Sequence, residues 1–259
     1  MANAVQKERQ RKIIDYLKIK KFARTSDLVE LLNYSDATIK RDLVSLENQK
    51  LIRRTRGGAM IVDKRKIDIP YLLKMDRFNE NKNKIVLAKL ANELLQDDKV
   101  IFIDSSSTAL YLIDFLRNYK GLQIITNGLM TASLLSEYTD FPINVIGGLI
   151  VPKRFTINGS KAMSDIATYN ADLAFVSCRG YDFIHGATEA TEGEAYVKRA
   201  FRKQAQKIIL LFTADKFNQT YMYQSLNNQQ IDYIVTDYQF SENDLNLMCD
   251  YNIKVLATE

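Results

Sequence analysis

The chain has 259 residues, 36 lysines and arginines against 31 aspartates and glutamates, a formal net charge of +5, and 46% hydrophobic residues. That length suits a small domain plus a medium one, and that apolar fraction excludes global disorder. No apolar stretch approaches the roughly 20 residues of a membrane helix, and the charged start MANAVQKERQRKII lacks the apolar segment of a signal peptide. The expectation is a cytoplasmic protein with no membrane partner. Cys178 and Cys249 share no short spacing and read as reduced thiols, and His185 is the single histidine. A single histidine and two widely spaced cysteines argue against a His/Cys metal site and against a Ser-His-Asp machine elsewhere in the chain, and no cofactor is called for. Charge is uneven along the chain. Residues 1–66 hold 17 basic and 8 acidic side chains, whereas the remainder holds 19 and 23. A basic N-terminal quarter on a mildly acidic body is the balance of a nucleic-acid module joined to a different domain.

In chain order, Val5, Ile13, Ile14, Leu17 and Ile19 fall near one face of a first helix. The pattern breaks around Lys20–Arg24. Thr25 or Ser26 can cap a second helix with Leu28, Val29, Leu31 and Leu32 as its apolar residues. Asn33–Ser35 reads as a turn, and Ser35 as the N-cap of a third helix from Asp36 to about Asn48 that buries Ile39, Leu43 and Leu46. Leu51–Ile52 and Met60–Val62 flank Gly57–Gly58 as a β-hairpin. Three helices and a hairpin in about 62 residues make a winged helix-turn-helix layout. Residues 63–82 are charged and interrupted by Pro70, and read as a linker with a short helix after the proline. The domain boundaries expected are 1–62, a linker at 63–78, and 79–259.

From residue 83, short apolar runs alternate with amphipathic stretches. The runs are 100–104, 122–127, 143–148, 173–178, 207–212, 233–237 and 253–257; helical patterns lie near 83–96, 107–118, 128–138, 160–169, 191–206 and 241–251. Strands apolar throughout, alternating with helices, indicate a mostly parallel sheet covered on both faces. The expected fold is therefore an α/β domain preceded by a small winged helix-turn-helix.

The segment 35–59 carries the DNA-reading constellation. Ser35, Asp36, Thr38, Lys40 and Arg41 start the third helix, which in a helix-turn-helix enters the major groove. Thr38 can reach a phosphate or base edge, and Arg41 can pair bidentately with guanine. Arg53, Arg54 and Arg56 on the wing suit flanking phosphates, while Gly57 and Gly58 allow a tight turn and close approach to a backbone. Composition alone leaves room for an ordinary surface pair at Arg41–Asp42 and solvated wing arginines. The spacing of Arg9, Ile13, Leu17, Ser35, Thr38, Ile39, Lys40, Arg41, Asp42 and Leu43, closing with Gly57–Gly58–Ala59, resembles the signature of the DeoR family of bacterial transcription regulators. Lys40 departs from the family's usual arginine, a change that spares a phosphate contact but not bidentate base reading. Lys20–Lys21 stands where a glycine is common.

The resemblance continues through the second domain, which is similar to the family's C-terminal half and, through it, to ribose-5-phosphate isomerase. Its landmarks are DSSST (104–108), TNG (126–128), IGG (146–148), NG (158–159), GYD (180–182), EAYVKRA (194–200) and ADKF (214–217). DSSST lies between a strand and the start of a helical pattern, where ligands of α/β sheets gather and helix N–H groups suit phosphate. Asp104, Ser105, Ser106, Ser107, Thr108, Asn127, Gly147, Gly148, Lys216 and, more weakly, Lys198 are the effector-binding candidates. A Ser/Thr run after a strand also serves as a plain helix cap. Ser106 stands where the family often has glycine, and Thr213–Phe217 where it has D-x-S-K-F, so the effector's identity is open. The resemblance implies a repressor of a carbohydrate-use operon, a dimer or tetramer whose grip on double-stranded operator DNA is set by a phosphorylated sugar. A sugar-phosphate isomerase-like enzyme with an accessory DNA-binding domain is the alternative; it would draw a general base from Asp182, Glu189, Glu192 or Glu194.

Overall fold

The computed structural model describes residues 2–20, 22–49, 51–55, 57–61 and 81–258, and divides the chain into two compact units, Met1–Ile69 and Pro70–Glu259. The linker expected at 63–78, the short helix after Pro70 and Arg56 lie outside the described residues, as do the side chains of Val5 and Arg53.

The first unit contains α1 (Ala2–Lys20), β1 (Phe22–Arg24), α2 (Thr25–Leu32), α3 (Asp36–Asn48), β2 (Ile52–Thr55) and β3 (Gly58–Ile61). Its core joins Ile13 and Leu17 from α1, Leu28 from α2, Ile39, Leu43 and Leu46 from α3, and Ala23, Ile52 and Ala59 from the strands. The i, i+4 spacing of Ile13 and Leu17 places both on one helical face, and α3 does the same with Ile39, Leu43 and Leu46. Ile19 departs from the expected stripe: it is 78% exposed, as the last turn of α1 overruns the core. Leu31 is likewise exposed. Neither Thr25 nor Ser26 caps α2; Arg24 holds that position, with Asp27 accepting its backbone N–H. Ser35 does cap α3, and Asn33 ends α2 in the left-handed conformation. The break at Lys20–Arg24 is filled by β1, which adds a third strand to the wing by pairing antiparallel with β3.

In the second unit, β4 (Val100–Ile103), β5 (Gln123–Thr126), β6 (Ile143–Val145), β9 (Ala171–Ser177), β12 (Ala205–Phe212), β14 (Tyr233–Thr236) and β15 (Lys254–Ala257) form one seven-stranded sheet in the order β15-β14-β12-β9-β4-β5-β6. Every pairing in it is parallel. These seven strands are the seven apolar runs of the sequence. They are apolar throughout because alternate residues feed opposite cores. Phe102, Ala174, Val176, Ile208 and Leu210 enter one; Ile101, Ile103, Phe175, Ile209 and Leu211 enter the other. The covering helices are α4 (Lys82–Ala91), α5 (Ile113–Leu116), α6 (Leu129–Tyr138), α7 (Ser160–Ile166), α8 (Glu192–Gln204) and α9 (Glu242–Asp250).

Two features went unread in the sequence. A hairpin of β7 (Leu149–Val151) and β8 (Thr156–Asn158) follows Gly147–Gly148, and β10 (Gly180–Asp182), β11 (Gly186–Glu189) and β13 (Tyr223–Leu226) make a separate antiparallel sheet. The stretch 107–118 is not one helix but a 3₁₀ turn, Ala109–Leu112, running into the four-residue α5. The DSSST loop therefore does not end in the full α-helical N-terminus whose dipole was expected to hold an anion.

Candidate functional sites in the two units

In the first unit, α3 presents Asp36, Ala37, Lys40 and Arg41 to solvent, with Thr38 half-buried. The Ser35 hydroxyl accepts from Thr38 N at 3.3 Å and lies 2.8 Å from the Thr38 hydroxyl, so the two side chains fix the first turn together. Lys40 Nζ lies 2.7 Å from Asp36 Oδ2, both well exposed. A surface pair of this kind is worth at most about 1 kcal/mol and yields readily to a phosphate. Asp42 is no surface partner of Arg41. It is 1% exposed, turned toward α1, and bound by the Arg9 guanidinium and by Gln10 Nε2 at 3.3 Å. Arg9 also stacks over the Tyr34 ring at 4.4 Å. The carboxylate raises the Arg9 pKa.

On the wing, the Arg54 backbone N–H donates to Glu47 Oε1 at 2.8 Å and its guanidinium lies 3.8 Å from Glu47 Oε2. Gly57 turns the hairpin at φ +86°. Gly58 answers a different need: a Cβ there would stand closer than 3.0 Å to the Ala23 carbonyl oxygen, because β1 crosses at that point. The backbone it approaches belongs to its own sheet.

In the second unit Asp104–Thr108 follow β4, Asn127 follows β5 and Lys216 follows β12, at the carboxyl ends of strands in one parallel sheet, while Lys198 lies on α8 and Gly147–Gly148 follow β6. Asp104, 2% exposed, is the hub. Its Oδ1 accepts from Ser106 N and its Oδ2 from Ser177 N, both at 2.9 Å. Asn127 Oδ1 accepts from Ser105 N at 3.1 Å, and its Nδ2 donates to Thr156 Oγ1 and Ile157 O. Ser105 Oγ donates to Thr156 Oγ1 at 2.8 Å. Buried polar groups cost little when paired this fully. Asp104, Asn127 and Thr156 thus form the frame, and the half-buried Ser105, Ser106 and Ser107 are its outer face. Thr108 is buried behind them.

Three lysines from distant segments reach this loop or the strand end beside it. Lys198, on α8, is bound by Glu189 and lies 3.7 Å from Asp104 Oδ2. Burial opposes its charge, but Glu189 and Asp104 outweigh burial and raise its pKa. Burial pushes the Glu189 carboxyl up to about 7 against the pull of Lys198. Lying between two carboxylates, Lys198 has its charge already spent within the protein. Lys216 Nζ instead donates to the Ser177 hydroxyl at 2.9 Å. The third is Lys84 on α4, which donates to Ser107 Oγ at 2.8 Å. Sequence reading missed it, because nothing in NKNK at 81–84 distinguishes one lysine from its neighbour. Thr156 was missed with the hairpin that carries it.

Gly147 and Gly148 have other partners. Gly147 N donates to Asp165 Oδ2 at 2.6 Å, and Gly148 lies so close to the Asn158 carbonyl that a Cβ would not fit. Asp182, a base candidate, is occupied in holding a turn: Ile184 N, His185 N and Thr220 Oγ1 all donate to it, and these bonds lower its pKa despite burial. His185 also reaches it, with Nδ1 at 3.1 Å. Among the described residues no group of three His, Cys, Asp or Glu side chains could hold a metal ion, and no helix is long and apolar enough to cross a membrane.

Residues 9–65 match the DeoR-like helix-turn-helix domain, and residues 77–238, more than half of the chain, match the DeoR C terminal sensor domain. The chain belongs to the DeoR family. As a member it is a DNA-binding transcription regulator with a C-terminal sensor domain. Among its relatives, the HTH-type transcriptional repressor GlcR of Bacillus subtilis (strain 168) is 32% identical over 98% of this chain and 97% of its own. The HTH-type transcriptional regulator GolR of Listeria innocua is 31% identical over 89% and 90%. The glycerol-3-phosphate regulon repressor of Escherichia coli (strain K12) is 27% identical over 96% and 98%. A solved D-ribose-5-phosphate isomerase in complex with phospho-erythronic acid shares 18% identity over 52% of each chain with a TM-score of 0.39, too remote to bear on chemistry.

Proposed function

We propose that this DeoR-family regulator is a cytoplasmic repressor of a carbohydrate-use operon, a homodimer or homotetramer that leaves its operator when a phosphorylated sugar fills the sensor unit. Residues 1–62 act as the DNA-binding domain, 63–78 as the connection and 79–259 as the sensor. Ser35, Asp36, Thr38, Lys40 and Arg41 face the major groove, with Arg53, Arg54, Arg56 and the Gly57–Gly58 turn beside flanking phosphates. The relatives support this reading through their names, which include a glycerol-3-phosphate regulon repressor.

One observation carries the sensor half: cationic side chains and three serine hydroxyls converge at the carboxyl ends of parallel strands. Ligands of open α/β sheets bind at that end. Phosphate oxygens are acceptors, and hydroxyl and ammonium donors satisfy them. Ser105, Ser106, Ser107 and Lys216 contact the ester, Asp104, Thr108 and Asn127 hold the loop, and Lys198 fixes Asp104. Gly147 and Gly148 keep the neighbouring hairpin close. The protein does not turn its ligand over, a reading supported by the engagement of Asp182 and Glu189 with protein donors.

Gel shifts with duplex DNA from upstream of the operon, with and without ribose 5-phosphate, glucose 6-phosphate, fructose 1-phosphate and glycerol 3-phosphate, test this reading. One ester should release the DNA. Lys216→Ala should keep DNA binding and lose the response, and Arg41→Ala should weaken DNA binding while leaving thermal stabilisation by the ester intact. DNA binding indifferent to every ester would sink the sensor half, and conversion of ribose 5-phosphate would establish the isomerase alternative.

A further inference from the structure

The outward face of α3 carries an apolar line between its charged side chains. Ile39, Leu43 and Leu46 fill the core from the opposite side of the helix. Ala37 is exposed, and Val44 is 39% exposed. At 3.6 residues per turn, positions seven apart lie within about 20° of each other and about 10.5 Å apart along the axis. Ala37 and Val44 therefore share one stripe. Lys40 flanks it on one side, 2.7 Å from Asp36, and Arg41 flanks it on the other, both exposed. A β-branched residue on a solvated helix face serves neither the core nor helix propensity. Between two cations, on the third helix of a DeoR-like helix-turn-helix, the stripe suits a polyanion that also offers an apolar group. We propose that Ala37 and Val44 read the 5-methyl groups of two thymines in the operator half-site, about three base pairs apart, with Arg41 over the pairs between them. This rests on the reading above in which α3 faces the major groove.

The chemistry is selective. On the major-groove edges of the base pairs thymine alone presents a methyl group, and the rest of the code is hydrogen-bond donors and acceptors. Ala37 and Val44 offer neither. Against a polar edge they would displace water without replacing its bonds, which costs affinity. Against thymine, each contact takes two apolar surfaces out of water together. Successive base pairs rise by about 3.4 Å, so the two side chains span about three steps along the groove. Arg41 lies about one turn beyond Ala37. It meets the intervening pairs, where guanine offers a guanidinium two acceptors.

The test uses full-length protein without added ester, and a duplex that the protein selects from a random-sequence pool. Each thymine is replaced in turn by deoxyuridine, which removes the methyl group and keeps the pairing. Burying one methyl group corresponds to about a fourfold change in affinity. Two positions per half-site, about three base pairs apart, should therefore each raise Kd about fourfold when replaced. Ala37→Gly should abolish one of these penalties and leave the other, and Val44→Ser should do the converse. Each penalty is a ratio between two duplexes on one protein, so any loss of folded protein cancels. No penalty at any thymine, a penalty at one thymine alone, or penalties that survive both substitutions overturn the inference. So does a Val44→Ser variant that changes the protein's mass in solution and keeps its penalty, which places Val44 between copies of this chain. Arg41→Ala separates the inference from the reading beneath it. Weaker binding by that variant, with no deoxyuridine penalty in the wild type, overturns the methyl contacts alone. Unchanged binding by it overturns the placement of α3 in the groove, and the methyl contacts with it.

Discussion

Asp42→Asn is the substitution that most directly tests the architecture of the DNA-binding unit. The carboxylate is 1% exposed and the Arg9 side chain 12%, so the pair is screened little by solvent. Removing one partner of a buried pair costs about 3–5 kcal/mol, because the other charge is left uncompensated. Here the Arg9 guanidinium would keep the Tyr34 ring and lose its anion. The loss is large against the about 5–15 kcal/mol that hold a domain together, and a unit of this size buries a modest fraction of its surface. Hydrogen exchange on full-length protein is the assay, read at the amides of α3. A loss of about 3 kcal/mol corresponds to faster exchange by somewhat more than a hundredfold, confined to the first unit. The double variant Arg9→Met/Asp42→Leu should regain most of the protection, since apolar residues can replace a buried pair at little cost. Unchanged exchange together with weakened DNA binding would refute the argument and place Asp42 on the DNA-facing surface instead.

Three further outcomes follow from the geometry. Gly58→Ala forces a Cβ against the Ala23 carbonyl, so β1 must separate from β3; the first unit should lose about 1–3 kcal/mol, seen as faster exchange at residues 22–24, while Gly57→Ala, strained only by its positive φ, should leave those amides unchanged. Burial pushes the Cys178 thiol up to about 12, so at pH 8 one thiol, that of the exposed Cys249, should react with a disulfide reagent in the native protein and two after denaturation; two fast thiols would contradict the buried placement of Cys178. The folded pKa of Glu189, about 7, lies above its ordinary 4.5, chiefly through burial. Its contribution to stability is therefore complete below about pH 4.5 and is lost as pH rises through about 7. Thermal melts of Glu189→Gln should consequently fall less than wild type over that interval, and parallel profiles would show that Glu189 does not titrate there.

The regular parts of both units were legible because period and capping chemistry are local. Ser35 announces α3 by its hydroxyl, and seven runs of branched and aromatic residues announce seven strands. The parts that were not legible are short strands that exist through the partners they pair with. β1 has three residues and no alternation, and it exists because β3 lies alongside. The hairpin β7–β8 and the sheet of β10, β11 and β13 are likewise short and irregular in pattern, and are stabilised by their partners. The stretch 107–118 has helical periodicity, yet Ala109–Leu112 tightens to 3₁₀ where Ser106 Oγ and the Ser106 carbonyl hold its first residues.

The lysines show why site chemistry is harder to read than fold. Lys84, Lys198 and Lys216 are equivalent letters, and sequence position ranks only the last two. What separates them is the acceptor each has found. Lys198 lies between Glu189 and Asp104, where its charge opposes the burial that raises the Glu189 pKa. Lys216 rests on a hydroxyl and gives up little by turning to an anion. The same comparison explains the placement of Asp104. A carboxylate facing the ligand would repel a phosphate, but both of its oxygens are turned to Ser106 N, Ser177 N and Lys198. The loop can therefore keep an aspartate beside three serines and still present donors outward, which is the polarity a phosphorylated ligand requires.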